Sequence, residues 1–170
     1  MIKYIKRHYP LIVAILILYL MLTILTLLSI RNTHGNFIYA IDDPYIHMSI
    51  AKNFAEYGVW GVTRYGFTSS SSSPFWTLLL SVIYSIFGVN QVCPFILNII
   101  IATLLCILVY EILRKHRLKS FLILIILLII IFFTPLPSII FTGQEHTIHA
   151  LISIFFVYVS ANILSYKKSN

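Results

Sequence analysis

Charge is scarce in this sequence, and acidic charge is the scarcest. Charged residues make up 10% of the 170 residues and only five residues are acidic, whereas a soluble domain is about 25% charged. Hydrophobic residues reach 59%, above the roughly 45–50% that is typical of soluble domains. This composition excludes a soluble domain and predicts an all-α integral membrane protein.

The sequence lacks the motifs that identify several functional classes. No GxxxxGKS/T or GxGxxG motif occurs, so nothing supports nucleotide-driven transport or dinucleotide chemistry. Only two cysteines are present, Cys93 and Cys106, and apolar packing explains them better than a disulfide bridge. The net charge of +7 does not indicate nucleic-acid binding, because lysines and arginines collect at the ends of apolar segments, as membrane topology requires.

The first apolar run, residues 11–30, carries no charge and follows three basic residues. Twenty helical residues, at about 1.5 Å each, match the ~30 Å hydrocarbon core of a bilayer. The alternative is a signal peptide, but its apolar region is roughly 7–15 residues long and a small-residue cleavage site follows it. The segment SIRNTHGN contains no such site, so we expect a retained membrane span.

The number of spans depends on the next apolar segment, SPFWTLLLSVIYSIFG. If it crossed the bilayer, the basic residues within 114–119 and at 167–168 would face outward, against the positive-inside tendency. If it lies on the membrane or re-enters it, nine of the twelve basic residues are cytoplasmic. We therefore predict four spans with both termini cytoplasmic, at residues 11–30, 93–113, 119–136 and 147–165.

This topology makes residues 31–92 one long outer loop, with surface helices at 44–57 and 75–88. The protein is then a multi-pass protein of the plasma (inner) membrane, with its active face extracytoplasmic. Four of the five carboxylates lie on that outer side: Asp42, Asp43, Glu56 and Glu145. Any acid–base chemistry is therefore expected on the outer face.

The stretch IDDPYIHMSIAKNFAEYG carries the adjacent acids and predicts an amphipathic helix along the bilayer surface. Asp43 followed by Pro44 is a strong helix start, with the aspartate as N-cap, and Gly58 supplies the stop. Apolar residues recur at helical spacing on one side, at Ile46, Ile50, Phe54 and Tyr57. The other sides carry His47, Lys52, Asn53 and Glu56.

Capping explains only one carboxylate of the adjacent pair, Asp42 and Asp43. Two neighbouring carboxylates can differ in protonation, so that one acts as a base while the other binds a cation or orients a hydroxyl. The residues alone leave both interpretations open, a helix cap with a solvated neighbour or a catalytic pair.

The order of features resembles the N-terminal part of polytopic GT-C glycosyltransferases. The features are the apolar anchor and then IDDPYIHMSIAKNFAEYGVWG, GFTSSSSSPFWTLLLSVIYSIFG and FTGQEHTIHALI. The likeness is to bacterial arabinofuranosyl and mannosyl transferases that use polyprenyl-phosphate sugars. These read roughly D-D-x-Y-I in the first outer loop, S-P-L-W at the next surface helix and S-G-L-E-T-x-L before a later span. The likeness covers nearly the whole chain.

The resemblance implies an inverting sugar transfer from a polyprenyl-phosphate donor to a hydroxyl of a glycan, lipid or protein acceptor. An aspartate of the first loop is the general base, which is Asp42 or Asp43 here. Asp42 is favoured, because helix capping would occupy Asp43 and lower its basicity. The remaining residues implied at the substrate site are Tyr45, His47, Trp76 and Glu145.

The chemistry of the transfer requires one further role that the resemblance does not assign to a residue. A departing phosphate needs positive charge, which Arg31 or Arg64 could supply, although anchoring at lipid headgroups also explains these outer-face arginines. His146 and His149 beside Glu145 form a poor pattern for a metal. We predict no metal site and no cofactor, with a divalent cation left open.

The sequence departs from the family pattern in its motifs and in its length. The short T-S-P-L-W reads TSSSSSPFW here, G-L-E-T reads GQEH, and full-length relatives have many more spans. We expect an N-terminal fragment or one piece of a split enzyme, completed by a second polypeptide. The alternative is a small four-span accessory protein that binds or moves polyprenyl-linked sugars, and a purely structural subunit is a third.

Overall fold

The computed structural model describes residues 2–169, with side chains placed for residues 8–166. The side chains of Lys3, Lys6, Arg7, Lys167 and Lys168, on which the topology prediction partly rests, therefore lie outside the described residues. This part of the chain contains seven helices and no strand. The helices are α1 (Ile2–Asn32), α2 (Asp43–Tyr57), α3 (Pro74–Phe87), α4 (Cys93–Lys115), α5 (Ser120–Phe133), α6 (Leu136–Phe141) and α7 (His146–Ser169).

Three stretches of helix are long and apolar enough to cross a membrane: His8–Asn32, Cys93–Lys115 and His146–Tyr166. They coincide with three of the four predicted spans, at residues 11–30, 93–113 and 147–165. The coarse fold class is confirmed: the described chain is all-α, with helices suited to a bilayer.

The third predicted span, residues 119–136, is a shorter helix than expected. Helix α5 has 14 residues and ends at Phe133, so it is about 21 Å long against a hydrocarbon core of ~30 Å. The expected extension through residues 134–136 does not form. The reason is Pro135, because the residue before a proline avoids the helical region. The chain turns there and restarts as α6, with Pro137 in its first turn.

Helices α1, α4, α5 and α7 alternate in direction along the chain. The Tyr19 hydroxyl lies 2.9 Å from that of Thr103, which pairs α1 with α4. At one end of α4 the Asn98 side chain contacts the start of α7, and at the other end Lys115 contacts Tyr158 farther along α7. Helix α5 packs on α1 and α4 through one buried stripe: Ile123, Leu127 and Ile131. We call the end that holds Asp43 and Glu145 the acidic end, and the end that holds residues 114–119 the basic end.

Helices α2 and α3 form a hairpin that packs on itself, and their bounds agree with the predicted surface helices. Gly58 ends α2 in the left-handed conformation, with φ +68°, and its N–H donates to Phe54 O at 3.0 Å. The inner face of the hairpin consists of fully buried side chains, including Ile50 and Ala51 of α2 and Trp76 and Leu80 of α3.

Burial in α2 does not follow the division into an apolar face and polar sides that the sequence predicts. Phe54 and Tyr57 are 38% and 52% exposed, whereas His47 and Asn53 are 1% and 8% exposed and face the interior. Burying these polar groups is tolerated because they are hydrogen-bonded. The Asn53 amide donates to the carbonyl oxygens of Gly61 and Val62 at 2.8 and 2.9 Å, and His47 contacts α3.

The hairpin joins the bundle at a neck formed by Phe37, Tyr39 and Gln91. The Tyr39 hydroxyl donates to Gln91 O at 2.7 Å and accepts from the Phe95 N–H at 3.1 Å. The Gln91 amide donates to Phe37 O at 2.9 Å. Gly143 lies against the Tyr39 ring with φ +70°, and a Cβ there would stand 2.5 Å from a ring carbon. The neck therefore needs glycine at this position.

Candidate functional site

The two motifs that the sequence separates most widely meet at the acidic end. The Gln144 side-chain amide donates to Asp43 Oδ2 at 2.7 Å, which joins residues 101 positions apart. The contact joins the first residue of α2 to the loop between α6 and α7. We call the group formed by Asp43, His47, Gln144 and Glu145 the acidic cluster.

The expected capping role of Asp43 was wrong. Asp42 occupies the N-cap position, and it makes no side-chain capping hydrogen bond. Only its backbone carbonyl takes part in the helix start, accepting from the Tyr45 N–H at 2.9 Å. Both aspartates are exposed. The reason for preferring Asp42 as base is therefore removed, since Asp43 is turned toward Gln144 and does not cap.

His47 lies one helical turn after Asp43 and is buried by the serine-rich segment. Its Nδ1 lies 3.0 Å from Thr77 Oγ1 and 3.3 Å from Ser71 Oγ, and its Nε2 lies 3.4 Å from Ser72 Oγ. Burial lowers the pKa of His47 from its ordinary 6.5, although the charges of Glu145 and Asp43 oppose that shift. The ring is therefore neutral at pH 7, and it connects α2 to the start of α3.

The loop that carries Gln144 and Glu145 is fixed by a buried polar group on α4. The Asn98 side chain is fully buried, its amide donates to Gln144 O at 2.9 Å, and its oxygen accepts from the Thr147 hydroxyl. A buried amide with both ends satisfied holds its neighbours in one geometry. Asn98 therefore fixes the backbone that aims the Gln144 side chain at Asp43.

Two buried polar atoms have no hydrogen-bond partner among the described residues. They are Glu145 Oε2 and Trp76 Nε1. Buried polar atoms normally have partners, so each can still bond to a ligand or to water. Trp76 itself is fully buried within the hairpin. It therefore offers no exposed ring face for a sugar at the predicted substrate site.

The other two predicted substrate residues point elsewhere. The Tyr45 hydroxyl accepts from the Tyr39 N–H at 3.0 Å, and the two rings meet edge to face. Tyr45 therefore packs against the neck. Arg64 is exposed in the α2–α3 connection, where its guanidinium lies 3.3 Å from the Tyr65 hydroxyl and 5.2 Å from its ring centre. None of its contacts within the described chain is with the acidic cluster.

The described residues contain no group of three or more histidine, cysteine, aspartate or glutamate side chains that could hold a metal ion. The acidic cluster offers two carboxylates, those of Asp43 and Glu145. Asp43 Oδ2 is held by Gln144, which leaves Oδ1 and further lone pairs of an exposed carboxylate open to a hydroxyl. Such an arrangement can accept a proton from an alcohol that is positioned beside it.

Sequence reasoning missed Gln144, Thr77 and Asn98. The sequence did mark Gln144, because it is the residue at which GQEH departs from G-L-E-T. The structure shows why it matters: Gln144 is only 7% exposed, and a buried glutamine needs a partner. Thr77 and Asn98 lie inside apolar helices, where no sequence pattern distinguishes a bonded polar residue from a tolerated one.

Comparison of this chain with protein-family models, with curated proteins and with solved structures finds no match.

Proposed function

We propose that this chain is the acceptor-activating, N-terminal part of an inverting membrane glycosyltransferase that takes its sugar from a polyprenyl phosphate. The observation that supports the proposal is the hydrogen bond between Gln144 and Asp43. It joins the D-D motif to the G-Q-E-H motif, which are the two polar motifs of the GT-C resemblance. Nothing in the local sequence of either motif requires the two to meet.

In this proposal Asp43 is the general base. Gln144 orients the carboxylate through one oxygen and leaves the other for the acceptor hydroxyl. His47 is neutral at pH 7 and adds no positive charge to the site. Asp42, without a side-chain cap or an orienting partner among the described residues, is a solvated neighbour.

Glu145 completes the site as a hydrogen-bond acceptor for the substrate. Its Oε2 is buried and without a protein partner among the described residues, and a sugar or acceptor hydroxyl supplies the donor that this oxygen lacks. The positive charge that a departing phosphate needs is not in the acidic cluster. We therefore assign that part of the donor site to a second polypeptide or to chain beyond these residues.

We propose that the acidic end faces outside the cytoplasm in the plasma membrane and that both termini face inside. The basic residues of the α4–α5 connection lie at the opposite end, as the positive-inside tendency requires. The outer face of α3 carries exposed apolar side chains suited to lipid: Phe75, Leu78, Val82 and Ile86. A cysteine placed at Ser70 should react with an impermeant maleimide in intact cells, and one at Arg117 only after permeabilisation.

The test of function is transfer of radiolabelled sugar from polyprenyl phosphate in membranes that contain the full chain, alone and with candidate completing polypeptides. Asp43→Asn should lower transfer by about 100-fold or more, because general-base catalysis contributes about 10²–10⁴-fold. Asp42→Asn is the matched control and should retain most activity at equal abundance.

Each outcome of this test assigns a role. Equal loss in both variants would contradict the choice of Asp43, and full activity of Asp43→Asn would contradict the mechanism. If every membrane is inactive while the chain still binds polyprenyl-linked sugar, the accessory-protein alternative replaces the enzyme.

A further inference from the structure

Two adjoining grooves lie between α4 and α7, toward the basic end. One, of about 440 Å³, has a polar lining that includes Glu111, Arg114, Lys115 and Tyr158. The other, of about 480 Å³, is apolar apart from Glu111 and includes Leu104, Ile107, Leu151 and Phe155. Leu108 and Glu111 line both grooves, so the two adjoin, and we call the pair the channel. This channel does not include any residue of the acidic cluster.

The polar groove carries a net positive charge. It is lined by two cations, Arg114 and Lys115, and by one carboxylate, Glu111, which gives 2 − 1 = +1. Arg117 and Lys119 follow in the exposed connection to α5 and add to the positive potential. A channel with an apolar floor and a cationic end is complementary to a molecule with an apolar chain and a negative headgroup.

The cations keep donors free for such a headgroup. Lys115 Nζ donates to the Tyr158 hydroxyl at 2.8 Å and lies 5.1 Å from its ring centre, which uses one of its three N–H groups. The ion pair between Arg114 and Glu111 Oε1 is long, at 3.5 Å, and the two side chains are 29% and 57% exposed. An exposed pair this long is weak, so a phosphate can replace the carboxylate as the partner of Arg114.

We propose that this channel binds one anionic phospholipid, with its phosphate between Arg114 and Lys115 and an acyl chain along the groove between α4 and α7. The net charge of the polar groove favours a lipid of net charge −1 over a zwitterionic one. Basic pockets between transmembrane helices on the cytoplasmic side are a known setting for lipid headgroups. The inference is independent of sugar transfer.

The experiment is native mass spectrometry of the full chain in detergent, titrated with phosphatidylglycerol, phosphatidylethanolamine or phosphatidylcholine of matched acyl chains. We expect one phosphatidylglycerol per chain at the lowest concentration. The double variant Arg114→Gln, Lys115→Gln should weaken that binding by about 30-fold, because each basic residue near a lipid phosphate contributes about fivefold. The matched control is Arg117→Gln, Lys119→Gln, which removes the same charge from residues that do not line the groove.

Five results would overturn the proposal, the last of them obtained with a single variant. Equal weakening in both double variants would mean nonspecific attraction to the basic end, and equal binding of the three lipids would remove the role of charge. Tighter binding of phosphatidylethanolamine would assign the groove to a zwitterionic headgroup that also uses Glu111. Inorganic phosphate that competes at the same concentration as the lipid would make this a free-phosphate site. Should the double variant fail to fold, Lys115→Gln alone should show about a fivefold loss, and an unchanged affinity would contradict the proposal.

Discussion

Replacing Thr77 by valine tests whether the His47 network holds the hairpin together. Valine has nearly the shape of threonine but lacks the hydroxyl, and Thr77 is fully buried. That hydroxyl lies 3.0 Å from His47 Nδ1 and 2.8 Å from Ser71 Oγ, and it donates to Ser73 O at 3.1 Å. The substitution removes these contacts without opening a cavity.

The expected loss of stability depends on which hydrogen-bond partners the neighbours of Thr77 keep. Ser73 O still accepts the Thr77 N–H, and half-buried Ser71 can turn toward water, so the loss falls mainly on His47. A buried polar group left without a partner costs about 1–3 kcal/mol. His47 retains its longer contact with Ser72, at 3.4 Å. We therefore expect Thr77→Val to lower the free energy of unfolding by about 1–2 kcal/mol.

The assay is equilibrium unfolding of the full chain in mixed micelles at a rising fraction of denaturing detergent. Both tryptophans, Trp60 and Trp76, lie within or beside the hairpin, so their fluorescence reports its unfolding. The control is Ser81→Ala, whose hydroxyl bonds only within its own helix, to Thr77 O at 2.8 Å. Deleting such a bond should cost about 0.5 kcal/mol or less. If Thr77→Val is no more destabilising than Ser81→Ala, the network does not hold the hairpin.

Two further predictions concern pH and the neck. Because burial lowers the pKa of His47 below 6.5, the unfolded chain binds this proton first. Stability should be complete above about pH 6.5 and should fall as the pH drops toward the folded-state pKa, by at most about 1.4 kcal/mol per pH unit. His47→Gln should remove that part of the slope, and an unchanged slope would contradict the assignment. Gly143→Ala should destabilise the chain by at least about 1 kcal/mol more than Gly58→Ala in the same assay. Both positions have positive φ, but only the Cβ at Gly143 meets the Tyr39 ring, so equal losses would mean that the ring moves freely.

Local sequence signals predicted the helices of the hairpin better than their orientation. The Asp-Pro start and the Gly58 stop predict α2 because both act within one helical turn. Which side of α2 is buried depends on Thr77 and on the carbonyl groups near Gly61, which lie on other segments. A hydrophobicity pattern treats His47 and Asn53 as solvent-facing, and it cannot register partners that the rest of the fold supplies.

The same distinction applies to the candidate site and to the bundle. The sequence predicted the acidic residues of both motifs, but it could not predict that Asp43 and not Asp42 meets Gln144. That choice depends on how the fold places the start of α2 against the loop between α6 and α7. The early end of α5 could have been predicted, because Pro135 stands inside the proposed span.

The neck makes the hairpin a closed loop. The Tyr39 hydroxyl bonds the backbone of Gln91, 52 positions later, so both ends of the segment are fixed at one point. Lengthening a loop whose ends are fixed has little entropic cost, about 0.6 kcal/mol for each doubling. The segment can therefore vary in length without shifting the register of α4 against α1. We expect residues inserted between the exposed serines Ser69 and Ser70 to disturb the packing of the membrane helices least.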